Sequence, residues 1–471
     1  MEIFDYMRDL KLGKAKIENL DPPSRPIEKS FCWKNIQKPI DYVKHGQWQK
    51  FSENPNSSEA YFYGAYYDSR SNRIFPQANG TVHALAMVQR VMRGPVFCQL
   101  WYNDWSAPTV VTAMYREIWQ RAWDPRNRFY TVWIVSCPVP KGYFGSNQPP
   151  NHVSLTVESC SMPDNLLTIQ NEPSDRTESE RSTAKAKIVV CVKGMDFLTD
   201  NSLRLIEWIE LQFMMGADKI VLYTYSVHPK TAKVIDYYAQ SGRLIQVALE
   251  LPGNGPNIPY VRSKFIWRNR QQKRRNEIVP YNDCLYRHIN THDYVLIVDT
   301  DEAVIPRSPL TNWDQLIRHL RNIPTIDKDD WTAFSIRNAF FFDEETKDYN
   351  PKIPAYMHMT RHNIRSRKIS ERGAYGKSFM YIPNISTVFN HFPLHKQRKN
   401  LQKTVYVDPR LAIKMHFKKD CPIESRDECQ NLHNITVKDD ILEPFAETLM
   451  KKVEKAISEA NINTLTSNII P

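Results

Sequence analysis

Three acidic side chains stand close together in DYVLIVDTDEAVIPR, residues 293–307: Asp299, Asp301 and Glu302. An apolar run, Tyr294 to Val298, leads into them. Such a run reads as a strand buried on both faces. Asp299 and Asp301, one residue apart at its C-terminal end, can aim oxygens at one point. Crowded carboxylates repel one another unless some are protonated or a cation joins them. A hard divalent cation takes oxygen ligands and often completes its shell with substrate phosphates. The bland alternative is a surface turn in which Asp301 or Glu302 caps a helix or pairs with Arg307. Glycine cradles for phosphate are excluded, because neither G-x-x-x-x-G-K-[ST] nor a G-x-G-x-x-G after the first strand occurs. A bound nucleotide must therefore be held by metal and side chains.

The elements that position these acids follow from periodicity. After Lys185 come a continuous apolar strand (187–192), a helix in SLRLIEWIELQFMMGAD with Gly216 where a C-cap belongs, and a strand at 219–225. A helix ending at Gly242, a strand at 244–251 and a basic amphipathic stretch at 271–290 precede Tyr294. Alternating strands and helices predict an α/β domain with a doubly wound, mainly parallel sheet and helices on both faces. Such sheets bind ligands beyond the carboxyl ends of their strands, where Asp299 to Glu302 fall.

Upstream the texture differs. Residues 1–30 are charged and carry DPPSRP, a tail or stem. From 31 to 160, aromatic and β-branched runs separated by Gly, Pro, Asn and Asp predict a smaller β-rich domain. Residues 161–184 are polar and turn-rich, a linker; the main domain runs from 185 to 440. Residues 441–471 include FAETLMKKVEKAISEA, an amphipathic helix expected to pack on a domain or partner.

The 471 residues carry a net charge of +11, with 41% hydrophobic and 11% aromatic residues, which excludes wholesale disorder. The basic balance admits nucleic acid, anionic membrane and phosphorylated molecules as partners. No nucleic-acid module accompanies clusters such as RQQKRR, so a solvated basic face is the plainer reading. Eight dispersed cysteines without zinc spacing, and Asn-x-Ser/Thr at Asn56, Asn79, Asn384 and Asn434, favour an oxidising lumen. Cys421 and Cys429 are close enough for a local disulfide. The first residues lack a signal-peptide apolar region, and no stretch reaches the ~20 apolar residues of a spanning helix. Either the protein is soluble and intracellular, or an N-terminal anchor lies outside this chain.

A D-x-D after a central strand is similar to the metal site of nucleotide-sugar glycosyltransferases of the GT-A type. More closely, the chain resembles glycosyltransferase family 92, the DUF23 domain. The resemblance is carried by EWIELQFMMGADKIVLYTY (207–225), PYNDCLYRHINTHDYVLIVDTDEAVIPR (280–307), GKSFMYIP (376–383) and VDPRLAIKMHF (407–417), in order over about residues 185–440. Residues 58–140, with AYYDSR and GPVFCQLW, resemble the β-rich region that precedes this domain in animal members. The chain departs in lacking the N-terminal anchor and in MHF, where His-Tyr-Arg is expected.

The resemblance implies inverting transfer of a sugar, galactose in the characterised animal members, from a UDP-sugar to a glycan. It also implies Mn²⁺ and a Golgi membrane protein. Asp299 and Asp301 would bind the metal, with His416, the late histidine of the pattern, as a further ligand. Glu302 would support the metal or face the acceptor, and His391 would contact substrate. Lys377 could neutralise a phosphate, as could Arg262, Lys264 and Arg268 after the third strand. Inversion needs a carboxylate to take the acceptor's proton. The candidates are Asp343, beside Glu344 and Glu345, and then Glu371. The alternative reading is a catalytically inactive glycan-binding protein on a transferase fold; nucleic acid is not an expected partner.

Overall fold

A computed structural model describes residues 29–30, 36, 38, 48–51, 59–70, 75–89, 91–103, 107–141, 148–170, 172, 184–323, 330–342, 351–398, 400–402, 404–418, 431 and 435–462. The N-terminal part is a β domain. Its strands are β1 (Lys29–Ser30), β2 (Gln49–Phe51), β3 (Ala60–Asp68), β4 (Ala78–Gln89), β5 (Phe97–Trp101), β6 (Thr109–Thr112), β7 (Met114–Glu117), β8 (Tyr130–Pro140), β9 (His152–Thr156) and β10 (Leu167–Gln170). They pair in the order β1-β6-β5-β9-β10-β3-β4-β8-β7, with β2 also on β3. The Cys98–Cys137 disulfide joins β5 to β8 across the domain's core.

Side chains alternate across a strand, and the central strands use both faces. Val82, Ala84, Ala86 and Val88 of β4 fill the domain's own core, whereas Leu85 and Met87 face the second domain. Trp133 and Val135 of β8 point inward, and Val132 and Ile134 outward. In β3 the ladder shifts register between Phe62 and Gly64. The extra residue resets the alternation, so Phe62, Ala65 and Tyr67 point inward while Tyr63 and Tyr66 point to the second domain. β10 lies within the stretch expected to be a linker. Its Leu167 and Ile169 join the inner core, and it pairs parallel to β3. Period-2 alternation in LTIQ outweighed the polar surroundings.

The second domain contains β11 (Ile188–Phe197), α1 (Ser202–Met215), β12 (Lys219–Val227), α2 (Pro229–Gln240) and β13 (Leu244–Ala248). Next come α3 (Pro259–Arg268), α4 (Arg270–Asn276), α5 (Ile278–Arg287), β14 (Tyr294–Ile297), β15 (Glu302–Pro306) and α6 (Trp313–Arg321). The remainder is β16 (Ala333–Ile336), β17 (Asn338–Phe342), α7 (His358–Arg361), β18 (Ile364–Ser366), β19 (Lys377–Tyr381), β20 (Ile385–Val388), β21 (Pro393–Lys396), β22 (Thr404–Tyr406), β23 (Ala412–Lys418), β24 (Thr436–Lys438) and α8 (Glu443–Glu459). Gly216 ends α1 at φ 122°, a conformation that favours glycine.

A seven-stranded mixed sheet runs β13-β12-β11-β14-β19-β16-β22. β19 is antiparallel to both its neighbours, and the other strands are parallel to one another. Ile188, Val190 and Leu296 pack with α1, α2, α6 and α8 on one face. Val189, Cys191, Val295 and Ile297 face α5 and the outward residues of β3, β4 and β8. The strands are therefore apolar on both sides, but the β domain, rather than helices alone, covers part of the second face. A disulfide, Cys191–Cys284, joins β11 to α5 there. Cys421 and Cys429 lie outside the described residues. α8 belongs to the first-face core through Leu449, Val453 and Ala456.

Polar contacts fix the two domains together. Arg70 chelates Asp68 at 2.8 Å and donates to the carbonyls of Ile382 and Ile385. Asp283 of α5, fully buried, accepts from Tyr66 of the β domain, from Tyr223 and from Arg287 at 2.6 Å. The AYYDSR motif is thus docking surface. A smaller sheet, β15-β23-β17-β18-β24, stands beside the acidic turn.

Candidate active site

Asp299 and Asp301 occupy the turn between β14 and β15, at the carboxyl end of the sheet. The turn closes when Glu302 N donates to the Asp299 carbonyl at 3.0 Å, while Asp299 N donates to Glu302 Oε2 at 3.1 Å. Glu302 opens β15, and the antiparallel ladder sets it directly opposite His416 of β23. The main chain is held from behind by the Trp208 indole, which donates to the Glu302 carbonyl at 2.8 Å.

Four lysines converge on the acids. Cys191 pairs with Ile297 across β11 and β14, and two residues further on Lys193 Nζ lies 3.2 Å from Asp299 Oδ1. Lys193 also lies 3.5 Å from Glu277. Lys377, at the start of β19 and 1% exposed, lies 3.6 Å from Asp299 Oδ2 and 3.3 Å from Glu302 Oε2. Lys414, His416 and Lys418 alternate along β23, so all three share one strand face. Lys414 Nζ donates to Glu302 Oε1, Lys418 Nζ lies 2.7 Å from Asp301 Oδ2, and His416 Nε2 lies 3.6 Å from the same oxygen. Four carboxylates, Glu277 included, are thus matched by four ammonium groups.

Burial alone would raise the carboxyls, but adjacent positive charge outweighs it. Lys193 and Lys377 hold Asp299 well below the usual carboxylate range; a hydrogen bond from the His416 ring and the Lys418 ammonium do so for Asp301, and Lys377 and Lys414 for Glu302. Burial and the Lys414 ammonium push His416 down to about 4, so its imidazole is neutral. Burial also lowers Lys414, whereas Asp299 and Glu302 raise Lys377 against it. Asp301 is the most open of the three acids at the turn, with 42% of its side chain exposed, against 21% for Asp299 and 3% for Glu302. Among the described residues no group of three His, Cys, Asp or Glu side chains is preassembled to hold an ion.

A strained segment shapes the neighbouring wall. Tyr375 has φ 53°, and a Cβ on Gly376 would meet the Ile336 carbonyl at 2.7 Å. Left-handed backbone at a non-glycine residue costs about 1–3 kcal/mol and persists where surroundings enforce it. Here it delivers Lys377 to the acids and sets the Tyr375 ring edge-on to Phe340, whose ring stacks on His416.

A family model described as glycosyltransferase family 92 matches residues 186–469, more than half of the chain. The chain belongs to glycosyltransferase family 92. The membership supports glycosyl transfer as its class of activity, with a sugar donor and a glycan acceptor as reactant classes. The β-1,4-galactosyltransferase galt-1 of Caenorhabditis elegans is 20% identical over 297 residues, covering 62% of this chain and 62% of that protein. The chain thus spans under two thirds of that relative's length. The crystal structure of S. aureus TarS 1-349 overlaps 60% of this chain and 75% of its own at 10% identity. Its TM-score of 0.24 is too low to bear on the fold.

Within this family 92 domain, the fold brings together Asp299, Asp301, Glu302, Lys377 and His416. Lys377 is engaged with the acids and with Asn390 at 3.0 Å. His391 sits behind it: its Nδ1 lies 2.7 Å from the Gly376 carbonyl, and burial pushes it down to about 3. It braces the strained segment. Glu371 is exposed in the turn before Tyr375. Asp343 follows β17 and lies outside the described residues. Arg262, suggested for phosphate, is buried against Asp196 at 3.0 Å and Ser226 at 2.7 Å. Sequence reasoning missed Lys193, Lys414 and Lys418. The K-M-H-F-K spacing at 414–418 signals the last two, since period 2 puts both on the face of His416.

Proposed function

We propose that this chain is an inverting, metal-dependent transferase that moves galactose from UDP-galactose to a hydroxyl of a glycan. The observation that carries the reading is the meeting of Asp301 with His416 at 3.6 Å, at the carboxyl end of the central strand β14. The strand order and the single antiparallel β19 support a GT-A-like, doubly wound sheet. Galactose as the sugar rests on the name of the nematode relative. The Cys98–Cys137 and Cys191–Cys284 disulfides support an oxidising compartment, the Golgi lumen. Among the described residues no helix is long and apolar enough to cross a membrane. The sequon at Asn384 is closed in the folded chain, since its side chain is 3% exposed and donates to the Trp331 carbonyl.

The donor set suits Mn²⁺: carboxylates from Asp299 and Asp301 with an imidazole from His416. Loading requires Lys418 to withdraw from Asp301, whose openness allows it. His416 Nδ1 lies 3.4 Å from the Lys414 ammonium, which can only donate, so in the metal-free chain the ring proton is on Nε2, toward Asp301. Loading therefore also requires that proton to leave Nε2 and Lys414 to turn from Nδ1, with Glu302 Oε1, 3.8 Å from Nδ1, as the carboxylate behind the ring. When bound, the cation supplies Lewis-acid neutralisation of the departing diphosphate. Lys193 and Lys377 keep Asp299 ionised, and Lys418, once displaced, is a mobile positive charge beside the diphosphate. A carboxylate from Asp343 or Glu371 takes the proton of the acceptor hydroxyl as the acceptor's oxygen attacks the anomeric carbon and the bond from that carbon to UDP breaks; such a base is worth about 10²–10⁴-fold.

A screen of UDP-sugars with Mn²⁺ or EDTA, read by UDP release, tests this. Release is expected with UDP-galactose and Mn²⁺ only. Asp301→Asn should cut it by roughly 10²-fold or more, with unchanged thermal unfolding. The lysine pairing of both aspartates is the observation on the side of an inactive glycan-binding protein. Glycan binding without UDP release from any donor would establish that second reading.

A further inference from the structure

A concave surface that includes none of the acidic-turn residues lies between the β domain and helices α3 and α4. It encloses about 720 Å³, within the range of ligand pockets. One wall is Arg126, Arg128, Phe129 and Tyr130, and the other includes Arg268 and Arg270. Among the described residues no acidic side chain lines it. Arg126 is bonded to buried Asp124 at 2.7 Å, a carboxylate that Arg275 also engages at 3.1 Å. Arg128 and Arg268 are exposed and form no ion pair among the described residues. Asn254 and Asn269 add amides that can both donate and accept. Beside it Trp267 is 66% exposed, with Arg270 over its ring at 5.0 Å.

We infer that this cleft binds an acidic oligosaccharide through its carboxylate groups, as the distal part of an acceptor glycan. Planar guanidinium groups match carboxylates in a two-point geometry that lysines cannot supply. Amides answer sugar hydroxyls. The concavity disfavours a flat membrane. Asn276 lines the cleft, and the next residue, Glu277, is 3.5 Å from Lys193, which holds Asp299, so one main-chain step separates the cleft wall from the acidic turn's ion pairs. The inference rests on the transferase reading only for the word acceptor; binding itself is measured without turnover.

The test uses the full chain and fluorescent unsulfated chondroitin hexasaccharide, a uronate polymer, followed by polarisation. Chitohexaose serves as the neutral control, and a short DNA duplex of comparable charge as the nucleic-acid control. Saturable chondroitin binding is expected, at least tenfold tighter than chitohexaose and tighter than DNA. Arg128→Glu, at an exposed position, should weaken it at least tenfold and leave UDP release in the absence of acceptor unchanged. Equal binding by Arg128→Glu, equal binding of chitohexaose, or tighter binding of DNA would each overturn the inference. A failure of the transferase reading shows separately, as an absence of UDP release.

Discussion

Two clusters of buried charge belong to the same sheet, one on the face that meets the β domain and one at the carboxyl end of its strands, and they differ in how tightly they are closed. At the domain junction, Asp283 is fully buried, and Tyr66, Tyr223 and Arg287 all donate to it. Its donors come from three elements, β3, β12 and α5, so the cluster is closed and nothing in it can leave without exposing a bare carboxylate. At the acidic turn, Asp301 is 42% exposed and its partner Lys418 is 25% exposed on a strand end. That pair can open. Similar chemistry is therefore fixed where it is sealed and leaves room for exchange where one member reaches solvent.

The sealed cluster should give the largest stability change. Removing one partner of a buried ion pair costs about 3–5 kcal/mol, because the other is left uncompensated. Asp283→Ala strands Arg287 and two phenols, so its loss in denaturant unfolding should lie at the top of that range. A loss below about 1 kcal/mol would mean that the junction does not support the fold. Lys414→Met should fall near the bottom, about 3 kcal/mol, since Lys377 still faces Glu302. It should also disturb the acidic turn, which the Asp283 variant should not.

A smaller, pH-dependent effect belongs to Asp124. Burial would raise its carboxyl, but Arg126 and Arg275 hold it down to about 2 in the folded chain. A depressed folded value contributes stability above the unfolded value near 4, which is lost as pH falls toward 2. The contribution is about 2 kcal/mol. Asp124→Asn should be less stable than the parent at pH 6, and the gap should narrow by pH 3. A gap that stays constant with pH would contradict the assignment.

Much of the second domain was legible. The apolar run at 187–192 and the helix capped by Gly216 became β11 and α1, and the runs at 219 and 244 became β12 and β13. Each is encoded locally, by period and by cap. The position of Asp299 and Asp301 at a strand end was legible for the same reason. Their partners were not. Lys193 reaches Asp299 only because β11 and β14 are neighbours in the sheet, although over a hundred residues separate them in sequence. Lys414 and Lys418 required knowing that β23 lies on β15. The role of Tyr66 was hidden by the bulge at Gly64, which resets which side chains face the second domain.

On the proposed reading, Asp301 and His416 exchange Lys418 for a divalent cation. Electron paramagnetic resonance of free Mn²⁺, titrated with the protein in the presence of UDP, tests it most directly. The parent chain should bind Mn²⁺, Asp301→Asn should bind it about 10–100-fold more weakly, and Lys418→Gln should bind it more tightly because the competing ammonium is gone. Equal affinity in the parent and Asp301→Asn, or weaker affinity in Lys418→Gln, would contradict the claim.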